Sequence, residues 1–385
     1  MHIAIDGTPA VNDIRAIQRY TGNLIKELAE IDHENRYSII YLGCKTDTVS
    51  SIPKINNPNY LIIFSSIPGK LLKASWALSS FPKISFWTKK KADLIHFPGG
   101  CAYIPTSGEK VITTLHGFHQ QLIPQYMNPK ERPLVLKYLN QTIKNSDYFI
   151  TVSEANKNEL MQLWGVSGER ITAIPLGISP EFGQFNVSKE ERVSFLKKYS
   201  LPEKSFILYV GALEPHKNIH GVINAYSLLD QKFHRNFNLV FIGAETSHCS
   251  KYREMISKLN ISEYVFFVNY IQPGSSDLAY FYNLADLFIF PTFYEGWASP
   301  PLESMKCGTP VVVSDIPSLK ESTGGIATYC KPDDPKDIAE KIMGVISDRP
   351  KHEKLVGSGL QFTSKCTWRR CTEKTLELYD SKFKS

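Results

Sequence analysis

Two carboxylates, Glu295 and Glu303, stand eight positions apart on either side of the bend Gly296-Trp297-Ala298-Ser299-Pro300-Pro301. The bend supplies a glycine for close backbone approach, a serine suited to capping and prolines suited to a first helical turn. The pattern predicts a helix over Leu302 to Lys306, ended by Gly308, with Glu303 in or near its first turn. Two apolar runs flank the unit, Leu287 to Phe290 and Val311 to Val313, each short and rich in β-branched or aromatic residues, as buried parallel strands are. In such a strand-turn-helix unit a ligand sits past the carboxyl end of the strand, against the amides that open the helix, and phosphate is the favoured guest. Paired carboxylates repel a purely anionic guest. They accept hydrogen bonds from vicinal hydroxyls, so one can hold a sugar and the other a ribose while helix amides hold a diphosphate between them. The structural alternative makes Glu303 a helix-start acid stabilised by the dipole and Glu295 a solvated loop residue.

Two further side chains belong to the same chemistry. Phe206 to Gly211 reads as a buried strand, and Lys217 follows Gly211 by six positions, where an ammonium can meet a phosphate at the next helix start. A solvated loop lysine is the alternative. His116 follows the apolar run Val111 to Leu115 and so stands at a strand's carboxyl edge, with a satisfied structural histidine as the alternative and His119 as a weaker second candidate. No Asp-x-Asp triplet occurs to hold a divalent ion on a nucleotide diphosphate. The expected metal site is therefore none, with a basic clamp in its place.

The run Tyr294-Glu295-Gly296-Trp297-Ala298-Ser299-Pro300-Pro301-Leu302-Glu303, with Cys307-Gly308-Thr309-Pro310-Val311-Val312 after it, resembles the E-x7-E segment of the retaining glycosyltransferases of family 4. The resemblance implies the GT-B fold: α/β, with two Rossmann-like doubly wound domains facing a central cleft. It implies transfer of a hexose-type sugar from a nucleotide diphosphate sugar, as co-substrate and with no other cofactor, to a hydroxyl of a glycan or lipid-linked saccharide. On this reading Glu295 and His116 attend the transferred sugar, Lys217 the diphosphate and Glu303 the ribose. Gly211, Gly243, Gly296, Trp297, Ala298 and Ser299 complete the donor site. The chain departs from the family at Ala16-Ile17-Gln18, where a glycine pair usually precedes the arginine-tyrosine here formed by Arg19-Tyr20. It also departs at Gly117, usually aspartate, and at Ala212 and His216, the places for an arginine partner of the lysine. A nucleotide-sugar epimerase on the same frame and a catalytically silent sugar-binding scaffold are the alternatives.

These residues need a frame to position them. The chain of 385 residues exceeds one ordinary core. Its 42% hydrophobic and 21% charged composition is that of a globular enzyme, neither disordered nor membrane-spanning. Strand-like runs at Tyr37 to Leu42, Tyr60 to Phe64, Leu94 to Phe97, Val111 to Leu115, Tyr148 to Val152 and Ile171 to Pro175 alternate with helical stretches, which argues for a doubly wound parallel sheet. Met1 to Asp6 opens it, followed by a polar loop, Gly7 to Arg19, and an amphipathic helix from about Tyr20 to Glu30. Leu239 to Gly243 and Tyr264 to Val268 continue a second series. The domains are read as 1–187, acceptor-binding, and 205–367, nucleotide-sugar-binding. The polar stretch Ser188 to Lys204 lies between them, and a last helix, 368–385, returns to the first domain.

Seven cysteines without a C-x2-C pair, in a chain that opens directly on strand-like sequence, suggest reduced thiols and a cytoplasmic setting. The formal charge of +6 suits an anionic donor and gives no reason to invoke nucleic acid. From Lys70 to Lys91 there are six lysines and no acid, interleaved with Trp76, Phe81, Phe86 and Trp87. Either the aromatics pack inward beneath a solvated face, or the segment lies on an anionic membrane surface, peripheral at the inner face.

Overall fold

The structure is a computed structural model and describes residues 1–12, 16–43, 52, 55–65, 67–100, 104–271 and 275–384. Cys44, Cys101 and part of the stretch Gly7 to Arg19 lie outside these residues; Cys249, Cys307, Cys330, Cys366 and Cys371 carry free thiols. The chain divides into two units, Met1–Gly177 with Trp368–Ser385, and Ile178–Thr367.

In the first unit the described strands are β1 (His2–Asp6), β2 (Arg36–Tyr41), β3 (Tyr60–Phe64), β4 (Leu94–Phe97), β5 (Lys110–Leu115), β6 (Tyr148–Thr151) and β7 (Ile171–Ala173). They form one parallel sheet in the order β3-β2-β1-β4-β5-β6-β7. Its inner strand β1 buries Ile3, Ala4 and Ile5 completely, as a strand covered on both faces must. In the second unit β8 (Ser205–Val210), β9 (Phe237–Ile242), β10 (Val265–Val268), β11 (Leu287–Phe290), β12 (Val311–Ser314) and β13 (Thr328–Cys330) are ordered β10-β9-β8-β11-β12-β13, again parallel. Each sheet winds outward in both directions from its first strand. Each therefore has a topological switch point, β1/β4 in the first and β8/β11 in the second, where doubly wound sheets bind ligands beyond the strand ends.

Three expectations need correction. The boundary falls at Gly177 because Ser188 to Lys204 is not a linker: Ser188 and Glu191 form a capping box on the helix Lys189–Lys198. Phe195 and Leu196 of that helix join the core of the second unit, and Arg192 donates to the carbonyls of Leu284 and Lys204. Second, the helix expected from Tyr20 begins at Ala16 and runs to Ile31, so Arg19 and Tyr20 stand inside it. Alanine, isoleucine and glutamine favour helix where a glycine pair would interrupt it. Tyr20, Leu24, Ile25 and Leu28 form its buried stripe, which packs on the final helix Trp368–Phe383. Third, the stretch Lys70 to Lys91 splits into helices Gly69–Ser79 and Ile84–Thr88. Trp76 and Trp87 pack against the core with Leu72 and Ile84, but Leu71, Leu78, Phe81 and Phe86 face solvent, Leu78 at 89% exposure. Among the described residues no helix is long and apolar enough to cross a membrane.

Candidate active site

Strand β8 ends in a loop that makes a single 3-10 turn, Pro215–Lys217, before the helix Ile219–Ser227. Its neighbour β11 ends in Pro291 to Ala298 before the helix Ser299–Lys306. The two loops meet at the switch point, and Lys217 Nζ forms an ion pair with Glu295 there. The pair is largely screened from water, with side-chain exposures of 18% and 11%. Lys217 Nζ also lies 5.5 Å from the centre of the Phe290 ring, which stacks on Tyr209 at 5.7 Å. Burial first, and the Glu295 charge second, push the Tyr209 hydroxyl well above its ordinary range, so it stays neutral. The sequence offered lysine and glutamate as separate contacts for diphosphate and sugar; the fold places them on each other.

A buried polar network locks these loops together. Asn218 is completely buried with left-handed φ of 61°, and its Nδ2 donates to the carbonyls of Pro291 at 2.8 Å and Pro332 at 2.5 Å. Asparagine suits this position, since it tolerates the left-handed region and supplies donors. The His216 carbonyl accepts from the Phe293 amide at 3.0 Å and from Thr292 Oγ1 at 3.1 Å. Ser314 Oγ, at the end of β12, donates to the Thr292 carbonyl at 2.5 Å. Asn218, Thr292 and Ser314 are all fully buried, so lysine and glutamate are held from below by bonds that water does not contest. These three residues were absent from the sequence-derived site; the dipeptide Lys217-Asn218 was the available signal.

The helix after Glu295 differs from expectation at its start. Ser299 is its first residue and not its cap: Ala298 holds the cap position without a side-chain bond. Pro300 and Pro301 carry no N–H, so of the amides that open this helix only those of Ala298 and Ser299 precede the internal ladder. Starting at Ser299 moves Glu303 into the second turn, where it is 2% exposed and accepts from the Tyr282 hydroxyl at 3.1 Å. Trp297 packs against the core with Nε1 buried and unpartnered among the described residues. Burial, opposed by a backbone bond from Gly183 and reinforced by Glu303, raises the Cys307 thiol to about 12, which leaves it inert.

Gly211 and Gly243 meet each other. A Cβ on Gly243 would stand 2.0 Å from the Gly211 carbonyl oxygen, so the loops leaving β8 and β9 touch backbone to backbone and only glycine fits.

In the first unit His116 follows β5, and its Nε2 lies 2.9 Å from the Pro98 carbonyl. A carbonyl only accepts, so that nitrogen carries the proton. The ring meets Tyr20 edge-on at 5.1 Å. Below it, fully buried His96 shares hydrogen bonds with Tyr379 at 2.5 Å and Thr114 at 2.8 Å, and Thr114 with Tyr20 at 3.0 Å. Burial, assisted by the nearby His116, lowers the His96 pKa to about 3, so it is neutral. His119 opens the short helix His119–Leu122. Among the described residues no group of three or more His, Cys, Asp or Glu side chains is placed to hold a metal ion.

Two family profiles match the chain: "Glycosyltransferase Family 4" over residues 17–182 and "Glycosyl transferases group 1" over residues 192–361. O-antigen chain mannosyltransferase B of Escherichia coli is 27% identical over 385 residues, covering 98% of this chain and 99% of its own. Sucrose-phosphate synthase from Thermosynechococcus elongatus superposes with a TM-score of 0.73 at 18% identity, over 100% of this chain and 99% of that one. HepE from Anabaena, solved in complex with UDP and glucose, superposes with a TM-score of 0.71 at 14% identity, over 99% and 100%. The structural likeness supports the GT-B fold.

Proposed function

The chain belongs to glycosyltransferase family 4, and from that premise we propose that it is a retaining, metal-independent hexosyltransferase. It moves a sugar from a nucleotide diphosphate sugar to a hydroxyl of a glycan or lipid-linked saccharide in polysaccharide biosynthesis. Mannose is the favoured sugar, on the relation to O-antigen chain mannosyltransferase B over almost the whole of both chains.

The observation that carries the chemistry is the Lys217–Glu295 pair at the β8/β11 switch. As the bond from the anomeric carbon to the diphosphate breaks, negative charge gathers on the leaving phosphate. A preorganised cation aimed at that charge stabilises the transition state without reorganising at the moment of reaction. Lys217 supplies it, and the amides of Ala298 and Ser299 supply neutral donors. Glu295 acts in two ways, orienting the ammonium and offering its remaining acceptor capacity to hydroxyls of the transferred sugar. Glu303 is read as the ribose contact.

A specific observation also favours the membrane reading of Lys70 to Lys91. Leu71, Leu78, Phe81 and Phe86 are exposed in a segment that carries lysines and no acid. Apolar side chains beside basic ones suit an anionic bilayer surface. Flotation with anionic vesicles that fades with added salt is the expected result; equal flotation with neutral vesicles contradicts it.

The function is tested by incubating the full chain with a panel of nucleotide diphosphate sugars and saccharide acceptors, with and without a chelator. The expected product keeps the donor's anomeric configuration and forms at the same rate with the chelator present. An inverted product contradicts retention, and donor conversion without acceptor points to an epimerase.

A further inference from the structure

Polar side chains stand in the middle of the first unit's sheet, where strands covered on both faces usually carry apolar ones. His96 on β4 and Thr114 on β5 are both buried, and they join a row that starts on the last helix. The Tyr379 hydroxyl lies 2.5 Å from His96 Nδ1, His96 Nε2 lies 2.8 Å from Thr114 Oγ1, and Thr114 Oγ1 lies 3.0 Å from the Tyr20 hydroxyl. The ring of Tyr20 then meets the ring of His116 edge-on at 5.1 Å.

We propose that Tyr379, His96, Thr114 and Tyr20 are positioning residues for His116, so that the last helix helps to set the geometry of transfer. The inference rests on the glycosyltransferase reading and deepens it by naming what orients His116. His116 follows β5 directly, two positions after Thr114, so the two side chains project to the same side of the sheet. Tyr20 touches both, its hydroxyl on the threonine and its ring on the imidazole. A pinned hydroxyl thus fixes the ring that His116 rests against. The Nε2–H of His116 donates to the Pro98 carbonyl at 2.9 Å, and Pro98 leads into Gly99 and Gly100, which border a cavity of about 260 Å³ at the β1/β4 switch. The imidazole is held between a tyrosine ring and a loop carbonyl.

The chemistry of the row passes orientation along it. Burial lowers His96 to about 3, so its ring is neutral and has one proton for two partners. The tautomer it takes towards Tyr379 decides whether Thr114 gives or receives a proton at Nε2, and with that what Thr114 can offer Tyr20. Burial also pushes the Tyr20 and Tyr379 hydroxyls far above their ordinary range, so the row transmits bond direction and not charge. Packing alone does not call for these groups, since apolar side chains of similar size would fill the space without desolvating a polar atom. What a fully bonded network adds is one fixed geometry. The last helix also meets Tyr20 directly: the Trp368 indole lies 6.4 Å from its ring, and the helices Ala16–Ile31 and Trp368–Phe383 pack on each other. Because a misplacement of about 1 Å in a reacting site can cost about 10²-fold in rate, a small tilt of His116 is enough to matter.

The test reads His116 in two ways on the full chain: by NMR of its Nε2–H proton, assigned through its loss in His116→Asn, and by transfer kinetics. Thr114→Val keeps the shape and removes the hydroxyl. It should move or broaden that resonance and lower kcat about tenfold, with the donor KM changed by less than about twofold. Tyr379→Phe should act in the same direction, and Thr114→Ser, which retains a hydroxyl, should hold both readouts near wild type. Leu378→Ala is the packing control, because Leu378 is buried on the same helix outside the row. Its melting temperature should drop while resonance and kcat stay put. An unmoved resonance in folded Thr114→Val overturns the proposal, and so does a kcat that falls as far in Leu378→Ala as in Thr114→Val. A shifted resonance with unchanged kcat overturns it too, since the orientation of His116 would then serve no step of transfer. A shifted resonance in a wild-type background that transfers no sugar from any donor would keep the row as the device that orients His116 and overturn the transferase reading instead. Should Tyr379→Phe fail to fold, the Thr114 pair decides alone.

Discussion

At the β8/β11 switch of the second unit, a lysine and a glutamate face each other above asparagine, threonine and serine side chains that water does not reach. At the β1/β4 switch of the first unit, one buried aspartate and one indole border an open volume, with no cation among the described residues of the lining. The same topology thus carries two different designs. A departing diphosphate develops charge, and charge is best met by a group that is already in place and cannot relax. Placement of the ligand comes from the sheet; its chemistry comes from a few residues past the strand ends.

The contrast can be broken by substitution. The largest effect belongs to Lys217→Ala, which should lower kcat by about 10²–10³, the usual loss for one preorganised donor to a developing anion; a fall of less than about threefold would remove lysine from the clamp. Glu295→Gln keeps an acceptor but discharges the pair. It should cost about 1.5–3 kcal/mol in transition-state binding, roughly 10- to 100-fold in kcat/KM. Asn218→Gly preserves the left-handed backbone and deletes the clamp. Leaving the Pro291 and Pro332 carbonyls without it should cost about 1–3 kcal/mol of stability by denaturant unfolding. Because Lys217 is then less firmly aimed, kcat should fall while the donor KM changes little.

The first unit yields effects of a different kind. His96 has a folded pKa of about 3 against an ordinary value of 6.5, so below that ordinary value the unfolded chain takes up a proton that the folded chain refuses. This linkage lowers stability as pH falls from 6.5 towards 3, by up to about 1.4 kcal/mol per pH unit. His96→Asn should flatten the pH dependence relative to wild type in that window; parallel curves would contradict it. Smallest for the fold is the pair Phe81→Ser with Phe86→Ser. Both rings are more than half exposed, so stability should move by less than about 0.5 kcal/mol while flotation with anionic vesicles drops.

Legibility in the sequence was also uneven between the two regions. Strands buried on both faces announce themselves as apolar runs, which is why β4 and β11 fall where the pattern put them. In the second unit the sequence singles out Lys217 and Glu295 because both follow strand ends closely, and the fold brings the two together. What escaped was long-range or two-sided. Asn218 reaches Pro332 across more than a hundred residues, and no local spacing signals it. Ser299 looked like a cap, but two prolines behind it draw the helix start forward to include it. Ser188 to Lys204 looked like a linker because its charges outnumber its apolar residues, although Phe195 and Leu196 suffice to anchor it. Asp6 carries no sequence signal, since one acid at a strand end makes no pattern; only the sheet order shows that it stands at a switch point.

The central claim is that Lys217 and Glu295 act as one device, and a double-mutant cycle in kcat/KM between Lys217→Ala and Glu295→Gln tests it most directly. If glutamate works largely by aiming the ammonium, the double variant should lose no more than about twofold beyond Lys217→Ala alone. Losses that multiply in full would show two independent residues and contradict the account.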